Sequence, residues 1–383
     1  MDFNYTEEQL ALQDTLRRYL AKDYGFEQRR ALAASTEGFS RAHWRQFADL
    51  GILALPFPEE FGGITAEGGN AIDAMLVMEM LGRGLVLEPY LATVILAGGL
   101  IRDAGSRTQK EALLPAIAGG ELLMALAHYE AQGRYETNHV ATTAQPDGDA
   151  YILNGAKAVV LAGAGADKLI VSARTSGGQR DRQGISLFIV AHDVPGVTVR
   201  GYSTQDGGRA AEIKLSGVRV GKDALLGAQD AAFPHIERAL DHAIAALCAE
   251  AVGAMAALNE ATLEYIKTRK QFGQPIGRFQ ALQHRMVDML MATEQARSMA
   301  TLAAVRVDSA DAAQRRRATA AAKAYVGQSA RSVGQSAVQL HGGMGVVEEL
   351  RVSHYFKRLT MINATFGDAD YHLGCFSDSL LAA

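Results

Sequence analysis

TRKQFGQPIGRFQ, residues 268–280, closes one long segment rich in Ala, Leu, Met and Gln and opens the next. Read locally, Arg269 and Lys270 sit where a helix C-terminus favours cations, and the Gly- and Pro-containing stretch after them forces a turn. Working outward, helical segments of roughly thirty residues recur from about residue 229, broken again by DSAD at 308–311 and GGMG at 342–345. Long apolar helices of similar length with short connections predict a helical bundle over residues 229–383. QLHGGMG, residues 339–345, reads as a helix end whose glycines suit left-handed turns. The same glycines would let backbone amides approach a phosphate closely. Arg315–Arg317 reads as the solvated start of a helix.

Upstream the texture changes. Between residues 121 and 228 short β-branched runs are cut by turn chemistry, PDGD at 146–149 and NG at 154–155, before ISLFIVAHD, VTVRGY and AEIKLSGVRV. These predict a small antiparallel β domain, a barrel or sandwich. Over residues 1–120 the pattern is helical: Thr6 and Gln9 form a capping-box pair, Leu12, Leu16, Tyr19 and Leu20 follow on one face, and a second helix opens at Ser40 and stops at Gly51. LPFPEEFGGI interrupts, and helical patterns resume to about residue 118. The fold class is therefore α+β, helices then sheet then helices, without the alternation of a parallel nucleotide-binding sheet.

Composition narrows the function. The chain has 383 residues, 48% hydrophobic and 21% charged, enough for a sizeable core. Thirty-eight basic against 42 acidic residues give a net charge of -4, with no electrostatic footprint for nucleic acid or an anionic membrane. MDFNYTEEQL is acidic where a signal peptide is basic, and ATVILAGGLI at 92–101 is too short to span a bilayer, so a cytoplasmic protein is expected. Cys248 and Cys375 lie far apart, with neither disulfide nor zinc spacing.

Taken together, TRKQFGQPIGRFQ and QLHGGMG resemble the arginine-phenylalanine-glycine and glutamine-x-x-glycine-glycine segments of the acyl-CoA dehydrogenase family. GDAYILNGAKAVV, GADKLIVSART and GISLFIVAHDVPGV look like its β-domain strands. The N-terminal half is most similar to small subunits of the pimeloyl-CoA dehydrogenase type, found in two-subunit enzymes. The resemblance implies a bound FAD and oxidation of an acyl-CoA thioester, in fatty acid or dicarboxylate β-oxidation, to its trans-2-enoyl product. It implies an electron-transfer flavoprotein or similar acceptor, and a dimer-of-dimers assembly.

Carried over position by position, the resemblance puts Arg269 at the FAD pyrophosphate, Phe272 on the adenine side and Gln271 between them. Gln339, Gly342 and Gly343 match the segment that reaches the adenine end of a neighbouring subunit's FAD. The reaction needs a carboxylate to take the α-proton. The family's usual base falls on Phe366, and its second known location falls on Ala243, with Ile244 at the neighbouring arginine's position. Flavin-ring contacts are replaced by Ala125, Leu126, Ala127, His128 and Tyr129, and by Lys157 to Leu161.

Four residues could replace the base. Asp241 lies about 200° around the helix from Ala243 and reads as a polar-face or interface residue. Asp368 reads first as an N-cap. His128 and His341 read first as hydrogen-bonded structural groups. Three expectations follow: a small subunit lending an ADP-binding half to a larger homologous catalytic subunit in a heterotetramer, a self-sufficient dehydrogenase with Asp241 or Asp368 as base, or a non-catalytic assembly protein.

Overall fold

The computed structural model describes residues 5–381. Helices come first: α1 (Glu7–Asp23), α2 (Phe26–Ala34), α3 (Arg41–Asp49), α4 (Ala71–Gly84), a π-helix (Leu91–Gly98), α5 (Gly99–Ala104) and α6 (Arg107–Ala118). Strands β1 (Met124–Ala127), β2 (Thr143–Asp147), β3 (Ala150–Leu161), β4 (Lys168–Arg174), β5 (Ile185–Ala191), β6 (Val197–Ser203), β7 (Arg209–Gly221) and β8 (Leu225–Leu226) follow. The chain then runs through α7 (Phe233–Thr268), the ribbon β9 (Lys270–Gln271) and β10 (Gln274–Pro275), and α8 (Gln280–Val307). It ends in α9 (Ala312–His341), α10 (Arg351–Ala364) and α11 (Ala369–Leu381). The Thr6 capping box and the Ser40 cap are both formed.

Two compact units share these elements. One contains the chain up to Ala31, Asn70–Val86 and the stretch from Ile244 onward; the other contains Leu32–Gly69 and Leu87–Ala243. Each is thus assembled from discontinuous segments.

In the first unit α9 packs on α8, α10 and α11. Its Ala-rich face, with Ala318, Ala322, Ala330 and Ala337 buried, allows the close approach. Helices α4 and α7 meet backbone to backbone: a Cβ on Gly82 would collide with the Glu250 carbonyl oxygen, and one on Gly253 with that of Glu79. The two carboxylates beside this contact are held from other helices: Glu250 on α7 pairs with Arg358 of α10 at 2.6 Å, and Glu79 on α4 with Arg297 of α8, each guanidinium partly exposed. Arg315 departs from expectation. It is buried and donates to the Ser309 carbonyl at 3.0 Å, so only part of the arginine run is solvated.

In the second unit the strand order is β6-β7-β3-β2-β4-β5-β8, with β1 beside β4. β1 runs parallel to β4, so the sheet is mixed rather than wholly antiparallel. The long connection from β1 to β4, which contains the β2–β3 hairpin, permits that direction. The PDGD turn forms this hairpin, with Gly148 at φ 64°. Asn154-Gly155 does not turn the chain; it is a register shift inside β3, opposite Leu215 of β7. Leu153, Leu169, Val171, Phe188 and Ile213 form the core.

Although an 18-residue window of α7 has a mean hydropathy of 1.4, 89% of it is buried inside the protein, the state of a core helix. Replacing Gly253 with Ala should force α4 and α7 apart and cost about 1–3 kcal/mol. Chemical denaturation would read this as a lower midpoint; an unchanged midpoint would show that the close approach is not needed.

Candidate functional site

The first unit brings the two glycine-containing segments together. α7 ends at Thr268, the Arg269 amide closes on the Tyr265 carbonyl at 2.8 Å, and the Ile276 amide returns to the Arg269 carbonyl at 2.9 Å. The ribbon turns at Phe272 and Gly273, at φ 53° and 79°. α9 ends at His341, and Gly342 follows at φ 59°. Tyr265 joins the two ends: its ring stacks on His341 at 4.2 Å and its hydroxyl donates to the His341 carbonyl at 3.3 Å.

Arg269, Gln271, Phe272, Gln339, Gly342 and Gly343 are all exposed, Phe272 by 90%. No carboxylate pairs with Arg269 among the described residues, and a Cβ on Gly342 or Gly343 would meet nothing within 4 Å. A free guanidinium, an open aromatic face and approachable backbone are the donor set a pyrophosphate and an adenine need, so these residues fit the ADP half of FAD. His341 is not a base here. Burial lowers its pKa, and its Nδ1 donates to the Ala337 carbonyl at 2.8 Å.

Phe366 occupies a turn between α10 and α11, at φ 58° with Gly367 at 108°. Side chains of Lys323, His372 and Asp368 hold the main chain of this turn. Lys323 Nζ, fully buried, donates to the Asn363 carbonyl at 2.9 Å and the Gly367 carbonyl at 2.6 Å. His372 Nε2 donates to the Phe366 carbonyl at 2.9 Å, and Asp368 accepts from the Tyr371 amide at 2.9 Å. Asp368 is therefore the helix cap expected of it. Burial and the Lys323 charge push His372 down to about 4, leaving it neutral; burial brings Lys323 to about 8.

Nor does the other position at which the resemblance puts an acid present one. Ala243 is fully buried and Ile244 nearly so. Asp241, two residues earlier, is buried as well, so of its two readings, polar-face or interface residue, the solvent-facing one does not hold.

In the second unit, Ala125, Leu126 and Ala127 lie buried in β1. Beyond them is a network the sequence did not announce. Lys157 Nζ, at the centre, donates to the His128 carbonyl at 3.2 Å, Glu130 Oε1 at 2.8 Å and Ser172 Oγ at 3.0 Å. Glu130 also accepts from the amides of Ala141 at 2.8 Å and Thr142 at 2.9 Å, and from the Thr142 hydroxyl at 2.7 Å. Burial alone would raise the Glu130 pKa, but the Lys157 charge and these hydrogen bonds take it down to about 2. Burial takes Lys157 to about 8, and burial with the Lys157 charge takes His128 to about 3. His128 is a neutral structural group. The network clamps a bulge in β3, where Ala158 donates to the Tyr129 carbonyl at 2.8 Å and Val159, at φ 51°, is 53% exposed.

Comparison with known proteins follows the chain from end to end. It matches the families described as acyl-CoA dehydrogenase, N-terminal domain, over residues 6–121, middle domain over 125–218, and C-terminal domain over 233–381. A probable acyl-CoA dehydrogenase, YngJ of Bacillus subtilis, is 31% identical over 375 residues, 97% of each chain. Among solved structures, the ChsE4–ChsE5 complex from Mycobacterium tuberculosis superposes with a TM-score of 0.89 at 28% identity over 100% of both chains. A variant of the Tcur3481-Tcur3483 steroid ACAD gives 0.87 at 29% identity over 98% of both.

Lys157→Met would leave Glu130 buried without its counter-ion and should cost about 3–5 kcal/mol. In the unmutated chain, the depressed Glu130 carboxyl contributes stability above about pH 4.5 that is lost as pH falls towards about 2. Urea denaturation across pH 2–7 checks both; in Lys157→Met the Glu130-dependent acid limb should shrink.

Proposed function

The chain belongs to the acyl-CoA dehydrogenase family, FAD-dependent oxidoreductases acting on the CH–CH bond of acyl-CoA thioesters, and from that premise we propose that it is one subunit of a heteromeric member. It lends Arg269, Gln271, Phe272, Gln339, Gly342 and Gly343 to an FAD whose flavin ring and catalytic base belong to a larger homologous partner. When bound, FAD accepts the hydride that leaves the acyl β-carbon. This chain's part is to hold the ADP half: the Arg269 fork pairs with the pyrophosphate, the Phe272 ring covers the adenine side, and the glycine turn brings backbone against it.

One observation carries the reading. The turn at residues 365–368 keeps its hydrogen-bonded shape but presents a phenyl ring, which accepts no proton, while the ADP-type segments remain assembled and open. Exposed apolar residues support a partner. Phe272, Met344 and Val346 lie on or beside the glycine-containing segments, and Val287, Leu290 and Met291 form an exposed stripe at helical spacing on α8. The likeness to ChsE4–ChsE5 and to the steroid ACAD, each named as a pair of proteins, points the same way. With the resemblance to the pimeloyl-CoA dehydrogenase small subunit, it favours a bulky acyl group as substrate, with an electron-transfer flavoprotein or similar acceptor. A self-sufficient enzyme has less support, since Asp368 caps α11 and Asp241 lies about 200° around the helix from Ala243.

Purified alone, the chain should hold no stoichiometric FAD. Co-expressed with its homologous partner it should yield a flavin-containing, active complex, in which Arg269→Lys weakens FAD binding by about tenfold or more. A chain that alone binds FAD stoichiometrically and oxidises an acyl-CoA overturns the proposal. A complex that forms without flavin would indicate an assembly protein.

A further inference from the structure

The first unit contains a cavity of about 280 Å³ that none of the segments above lines. It lies between the end of α1, the end of α4 and the start of α10, where Gly25 carries no side chain to fill it. Its walls are apolar and flat: Tyr24, Tyr355, Leu20, Met80 and Leu85 are each less than a tenth exposed, and Phe26 adds a further ring. Three guanidiniums, those of Arg17, Arg83 and Arg351, complete the lining.

The charges are not balanced within the site. Arg17 pairs with Asp14, and Arg83 with Glu260 at 2.5 Å. Arg351 has no carboxylate partner among the described residues; its guanidinium lies 5.9 Å from the centre of the Phe26 ring. Arg30, also over Phe26 at 6.0 Å, pairs with Glu27. Tyr355 adds no negative charge: its hydroxyl donates to the Arg83 carbonyl at 2.5 Å, and burial pushes its pKa up to about 12. The carbonyl ends of α1 and α4 oppose an anion, while the start of α10, with no acidic residue in its first turn, favours one. Arg351 stands at that start.

We propose that this cavity binds a small organic anion, a single carboxylate on a compact flat apolar body such as an aryl or alicyclic acid. The carboxylate sits at Arg351, within reach of the forks of Arg17 and Arg83, and the body stacks among Tyr24, Phe26 and Tyr355. The volume sets the size. Sites for drug-sized ligands run from about 300 Å³ upward, so the ligand is smaller than a nucleotide cofactor. The aromatic walls and the guanidinium fork select a planar carboxylate over a compact, strongly hydrated ion.

Titration of the full chain with 3-phenylpropionate, by calorimetry or ligand-observed NMR, tests this. Binding should saturate at one site with a dissociation constant of about 1 mM or tighter. The uncharged 3-phenylpropanamide and inorganic phosphate should each bind at least about tenfold more weakly, the first for want of charge and the second for want of an apolar body. Arg351→Gln, at an exposed position, should weaken 3-phenylpropionate by about tenfold with an unchanged melting temperature, and Arg17→Gln by a smaller factor. Failure to saturate, equal binding of the amide or of phosphate, or full affinity in Arg351→Gln would each overturn the site.

Discussion

Lys323 Nζ lies buried at the end of α10, 2.9 Å from the Asn363 carbonyl and 2.6 Å from that of Gly367. An ammonium in that position is costly to desolvate, and burial has already moved its pKa from 10.5 to about 8. It persists because its acceptors are main-chain carbonyls that need a donor, that of Asn363 in the last turn of α10 and that of Gly367 in the turn that follows. With His372 on the Phe366 carbonyl and Asp368 capping the next helix, these bonds fix the main chain of the turn. None of them uses the side-chain chemistry of residue 366, so the backbone shape they hold does not require an acid at that position.

Lys157 follows the same logic in the other unit, with a different outcome for chemistry. Its partners are the His128 carbonyl, Glu130 and Ser172, and Glu130 is itself held by the Ala141 and Thr142 amides. All these groups are satisfied, so the pair is tolerated where a lone charge would not be. Its effect is positional: the His128 to Glu130 strand end is fastened beside the β3 bulge that exposes Val159. The titratable groups of the network are thus committed to structure, and neither His128 nor Lys157 is left over for proton transfer.

Local patterns were legible in the sequence and distant pairings were not. Capping at Thr6 and Ser40, the breaks at FGQPIG, DSAD and GGMG, and the long helices between them depend on neighbours a few residues apart, and these formed as read. α2 (Phe26–Ala34) was missed, because its apolar positions carry little helical periodicity. The π-helix at Leu91–Gly98 reads like any apolar helix, since one hydrogen-bond register leaves no signature in composition. The parallel β1–β4 pair and the bulge at Asn154-Gly155 depend on what the strands pair with. At the candidate site, Arg269, Phe272 and the glycine pair stood out as motifs. The meeting of α7 and α9 through Tyr265 and His341 did not; Lys323 gave no signal because its partners are carbonyls, and Glu130 none because its counter-ion Lys157 lies 27 residues away.

The exposure of Phe272 is the most demanding fact in the structure. A phenylalanine held at positive φ, 90% open to water, gains nothing from hydrophobic burial and adds the strain of its backbone. The tight ribbon that imposes this conformation also aims Arg269 and leaves Gly273 clear. Within one chain the ring meets the Phe279 ring edge-on at 6.1 Å between centroids and is otherwise open. On the proposed function this arrangement would become favourable when a planar ligand covers the ring and a second protein surface covers Met344, Val346 and the α8 stripe. Since the cofactor and the partner would bury neighbouring groups, each removes water from the other's contacts, and binding of one should strengthen binding of the other.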